Sequence, residues 1–98
     1  MPAGKFHHIV LFKLYDGVSL EQKQKAIEIL KSLGENNSDI IESTVLESLD
    51  SKKGVILVEN FVFKDLDSTE KFKESKEHKE TGIYMSTISD WWIGDYFL

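Results

Sequence analysis

Two stretches constrain what this chain can fold into more than any others: HHIVLFKL near the start and VILVENFVF past the middle. Each has the length and the aliphatic and aromatic content of a β-strand. On a strand, successive side chains point to opposite faces. In the first stretch the even set is Phe6, His8, Val10, Phe12 and Leu14, and the odd set is His7, Ile9, Leu11 and Lys13. In the second, the odd set is Val55, Leu57, Glu59, Phe61 and Phe63, and the even set is Ile56, Val58, Asn60 and Val62. Both faces of both strands are apolar, whereas an antiparallel sheet with one wet face alternates apolar with polar. The sheet therefore needs two covers.

The rest of the chain supplies only one. Asp16-Gly17 ends the first strand, and Ser19-Leu-Glu-Gln22 has the spacing of a capping box. Leu20, Ala26, Ile27, Leu30 and Leu33 follow at helical spacing, so a helix is predicted over about 20 to 33, with Gly34 as its C-terminal stop. Asp39 to Leu49 reads as a less regular strand, and Asp50-Ser-Lys-Lys-Gly54 as a turn. Asp67 and Glu70 repeat the capping spacing at a second, highly charged helix whose main apolar anchor is Phe72. Gly82 is read as its end, Ile83 to Ile88 as a short further helical turn, and Asp90 to Leu98 as a closing strand. The order strand, helix, strand, strand, helix, strand most simply makes a single ferredoxin-like α+β sandwich spanning residues 1–98.

Helices on one face leave about five aliphatic side chains bare on the other. Each forfeits roughly 1.5–3 kcal/mol, on the order of 10 kcal/mol together, which rivals the whole stability of a small domain. A second copy packed sheet to sheet in a closed two-fold dimer covers them most simply. His7, Ile9 and Leu11 fall on that interface side.

Composition narrows function. With no cysteine among 98 residues, disulfides, thiolate metal sites and cysteine nucleophiles are excluded. No His-x-x-x-His or acidic loop has ligand spacing, so no metal or other cofactor is expected. A net charge of −5 opposes nucleic-acid binding, and VILVENFVF lacks the basic-glycine-aromatic pattern of an RNA-binding sheet. No run approaches membrane-spanning or signal-peptide length, so the expected location is the cytoplasm.

The run HHIVLFKL, followed by an acidic-glycine turn, Val-Ser and a charged helix, resembles the opening of the stress-responsive A/B barrel domain, a dimeric α+β barrel family. FKESKEH and the ending with Asp95-Tyr96 resemble that family's later helix and last strand. The resemblance implies a homodimer whose two sheets meet as a barrel, with a pocket in each subunit between sheet and helices. The best-understood enzyme of the family is a plant polyketide cyclase, which closes a poly-β-keto chain by an intramolecular aldol condensation using histidine and tyrosine. His8 matches the family's first-strand pocket histidine, and His78 the second-helix histidine that acts as catalytic base. The tyrosine paired with that base falls on Phe72, and a further pocket tyrosine on Leu30. The family's frequent His-Pro-x-His run is Ser75-Lys-Glu-His78 here. Phenylalanine cannot donate to a developing oxyanion, a contribution typically worth ~10²–10³ in rate, so the cyclase reaction itself is not expected unchanged.

His8 and His78 are thus the candidate catalytic residues, while Phe12, Leu30, Phe72, Tyr84 and Trp91 are the candidate pocket wall. Tyr84 is the one nearby phenol to stand in for the missing tyrosine. Trp91 and Trp92 take opposite faces of the last strand, one toward core or pocket and one toward the interface. Phe72 and His78 lie six residues apart, about 120° off one helical face, so they meet only if the helix ends or bends near Lys76. Two functions stay open: a dimer binding or transforming a small hydrophobic, aromatic or polyketide-like ligand, and a non-catalytic stress-related dimer whose pocket is filled.

Overall fold

The computed structural model describes residues 4–98. Strand β1 (Phe6–Leu14) is followed by helix α1 (Leu20–Glu35), β2 (Ile40–Glu47), β3 (Ile56–Phe63), α2 (Leu66–Glu74), α3 (Lys76–Ile88) and β4 (Ser89–Phe97). The four strands form one antiparallel sheet in the order β2-β3-β1-β4. This is the ferredoxin-like arrangement, with its second helical segment broken in two.

Alternation decides which side each residue takes. Phe6, His8, Val10, Phe12 and Leu14 of β1, with Leu57, Glu59, Phe61 and Phe63 of β3, are all buried beneath the helices. Ala26, Leu30 and Leu33 of α1, Phe72 of α2 and Met85 and Ile88 of α3 complete that core. Trp92 (59% exposed), Leu46 (61%), Tyr96 (44%) and Leu11 (41%) stand on the opposite, open face. His7 lies there too, its ring stacked on Tyr96 at 4.8 Å, beside the half-buried Ile9.

Helix boundaries follow the chain's hydrogen-bond chemistry, and in three places differ from the expected ones. The Ser19–Gln22 capping box forms as expected, with both reciprocal bonds present. Gly34 does not stop α1; the helix runs on to Glu35 and Gly34 is buried within it. Its missing side chain has a packing reason, because a Cβ there would stand 2.7 Å from both the Phe61 ring and the Ser43 Cβ. Gly34→Ala is accordingly expected to destabilise the fold by about 1–3 kcal/mol through overpacking, read as a lowered urea midpoint at unchanged slope. At the second helix the cap is Asp65, whose carboxylate accepts from the Ser68 N–H at 2.8 Å and its hydroxyl at 2.7 Å, not Asp67. Gly82 does not end a helix either, since α3 continues through it to Ile88.

Candidate functional site

The break between α2 and α3 is made by Ser75. Its backbone is extended (φ −67°, ψ 149°), and its hydroxyl works in both directions. Oγ donates to the Phe72 carbonyl at 2.8 Å and accepts from the His78 N–H at 3.2 Å. One serine thus closes one helix, caps the next, and brings the rings of Phe72 and His78 to 4.7 Å centroid separation. Without the break the six-residue step would have pointed them apart. On its other side Phe72 lies edge-on to His8 at 6.4 Å, so the phenyl ring sits between the two histidines.

His8 is 5% exposed and held from both directions. Register places it opposite Phe61 on β3 and Asp95 on β4. Nδ1 donates to Asp95 Oδ1 at 2.7 Å, which fixes the ring and leaves Nε2 facing inward. There it meets Glu59 Oε2 at 3.6 Å, too long for a hydrogen bond. Glu59 is 3% exposed, and burial pushes its carboxyl up to about 8, so at neutral pH it carries its proton. The contact is therefore between a neutral acid and an imidazole, not an ion pair. His78 is pushed down, chiefly by burial and further by the charge His8 would carry. At neutral pH the His78 imidazole is therefore uncharged.

The remaining candidate residues divide. A cleft of about 650 Å³ opens between α1, the segment 36–38 and α3, with Phe72, Leu33 and Ile29 on its apolar side and Tyr84 and Glu80 on its wall. Phe72 and Tyr84 line this cleft, whereas Phe12 and Leu30 do not: both are packed in the core, Leu30 with no exposed surface. The Tyr84 hydroxyl points to the Gln22 carbonyl of α1 at 3.5 Å, not toward His8, so it does not stand in for the missing phenol there. Trp91 lies on the helix side of β4 against Phe12, ring centroids 5.6 Å apart, and is 37% exposed because helices do not cover this edge strand. Ile93 and Phe97 share that half-open side, leaving an approach to Asp95 along β4.

Glu59 and Asp95 were not expected as site residues. Glu59 was legible in principle, as the one acid inside VILVENFVF on the side shared with His8. Asp95 becomes meaningful only once β4 pairs with β1. Among the described residues, no group of three or more His, Cys, Asp or Glu side chains has the geometry to hold a metal ion. No described helix is long and apolar enough to cross a membrane.

The fold is shared with solved structures of low sequence identity. A dimeric ferredoxin-like protein of unknown function from Bacteroides fragilis is 24% identical over 100% of both chains, with a TM-score of 0.78. The hydroxynitrile lyase of Passiflora edulis is 16% identical over 99% of this chain and 95% of its own, with a TM-score of 0.86. SnoaB, a cofactor-independent oxygenase from Streptomyces nogalater, is 12% identical over 97% and 93%, with a TM-score of 0.78. No curated protein matches the chain in sequence. The family model of the stress responsive A/B barrel domain matches residues 6–98, and the chain belongs to that family.

Proposed function

We propose that this protein is a homodimer that binds a small hydrophobic or aromatic, polyketide-like ligand beside His8 and acts on it by proton transfer. The observation that carries the reading is the clamp on His8. A 2.7 Å bond from Asp95 fixes the imidazole while its other nitrogen faces a dry interior. Orientation by a carboxylate is what turns an imidazole into a dependable acid or base near neutral pH. His78, uncharged and across Phe72, is the second proton-transfer group. SnoaB, which shares this fold, is a cofactor-independent oxygenase, which supports a site that works without a cofactor. Self-association is supported by the apolar open face and by neighbours described as dimeric.

The competing reading, a non-catalytic dimer, draws on Phe72. Only 2% exposed, its ring occupies the space between the two histidines. A thermal-shift series with simple phenols separates the two. At a phenol concentration 100-fold above its dissociation constant the ligand stabilises the protein by ~2.7 kcal/mol, a gain His8→Ala should abolish. No shift in either protein favours the filled pocket, and an equal shift in both means the phenol binds away from His8.

A further inference from the structure

Glu59 is a buried carboxyl that neither histidine's role explains. It stands on β3 under the helices, where its neighbours Leu57 and Phe61 have no exposed surface. Its β2 partner is the apolar Val45, and Glu47, two residues along that side of β2, is paired with Lys23. From β1 it meets His8 at 3.6 Å, and through His8 it is linked to Asp95 on β4. His78 on α3 is the remaining titratable group close to this set, and the Lys23–Glu47 pair between α1 and β2, at 2.9 Å, neutralises itself. Two carboxyls therefore flank one imidazole in unlike surroundings. Asp95 is partly solvated, with 29% of its side chain exposed, while Glu59 is dry at 4%. Such pairs divide into a base side and an acid side.

We propose that Glu59 is the acid of this site: its O–H donates to an acceptor oxygen, carbonyl or enolate, of a bound ligand while His8 Nε2 takes the matching proton from the adjacent carbon. The inference rests on the proton-transfer reading above and gives it a donor at a position other than Phe72. Burial that holds the Glu59 proton to about pH 8 agrees with this role. The step balances within the protein and ligand. His8 removes a C–H proton, that bond's electron pair forms a carbon–carbon double bond, and the carbonyl oxygen receives the Glu59 proton. An enol, a carboxylate and an imidazolium result, and the reverse transfer restores all three. A ligand without an acceptor oxygen next to an acidic C–H gains nothing from the pair.

Acetophenone in D2O tests the idea, with deuterium entering its methyl group as the readout. The wild type should accelerate exchange, His8→Ala should lose the acceleration, and Glu59→Gln should lose about 10²-fold of it together with the fall in rate above pH 8. Full rate and an unchanged pH profile in Glu59→Gln overturn the role of Glu59 while leaving proton transfer at His8 standing. Equal exchange by wild type and His8→Ala overturns both. If Glu59→Gln does not fold, carbon-13 carboxyl NMR of the wild type decides: a Glu59 signal already ionised at pH 6 removes the proposed donor.

Discussion

Replacing Leu11 with aspartate should split the protein into single chains of 11.3 kDa and cost it most of its stability. Leu11 lies near the middle of the open face, paired with Val58 on β3 and Trp92 on β4, and 41% of it is exposed in the isolated chain. In a two-fold dimer every substitution enters the interface twice. Each new carboxylate loses the apolar burial of a leucine, roughly 2 kcal/mol, and must be desolvated against its symmetry mate or a neighbouring aliphatic. A loss of about 4 kcal/mol corresponds to about 10³-fold in dissociation constant. The separated chain then leaves Leu11's neighbour Trp92, and Leu46 beyond Val58 on the same face, to water. Sedimentation at low micromolar concentration should give twice the chain mass for the wild type and the chain mass for the variant, with a lower urea midpoint. A wild type that sediments as a stable single chain would refute the sheet-to-sheet assembly.

That expectation was legible in the sequence because it depends on alternation alone, and alternation survives small errors in strand ends. Register did the rest: once Phe6 is inside, His8 must be inside and His7 outside. The Ser19 cap was equally readable, since its two hydrogen bonds span only three residues. What escaped was decided by contacts across the fold. Gly34 carries the local signature of a helix stop, but it is required by Phe61 and Ser43, which no local window contains. Asp65 and Asp67 are both sound caps by type, and the chain's exit from β3 chooses between them. Glu59 was overlooked because a strand this apolar reads as apolar throughout. Its meaning appears only when His8 is seen diagonally across on β1, clamped by a β4 residue 87 positions away. The candidate pocket mixed two environments for the same reason. Phe72 belongs to both the core and the cleft wall, whereas Leu30 and Phe12 are core alone.

The protein should lose stability as the solution is made alkaline, and Glu59 should be the cause. In the unfolded chain its carboxyl ionises near 4.5; in the folded chain burial raises this to about 8. Between those values the folded state holds a proton that the unfolded state has released, so raising the pH favours unfolding. The stabilisation is complete below pH 4.5, declines through the interval, and is exhausted above 8. At 1.36 kcal/mol per unit the whole interval is worth on the order of 5 kcal/mol. His78 works with the opposite sign. Its folded value lies below 6.5, so the unfolded state binds its proton more tightly, and stability falls as the pH drops below that point. The two groups oppose each other in mild acid, and from pH 6.5 to 8 Glu59 acts without that opposition. Over that window urea unfolding should show a loss of about 2 kcal/mol. Glu59→Gln, which keeps the shape and a neutral donor, should flatten the slope. A wild-type midpoint constant from pH 6.5 to 8 would mean that Glu59 is ionised in the folded protein, and the pair with His8 would then be an ion pair held by its own attraction.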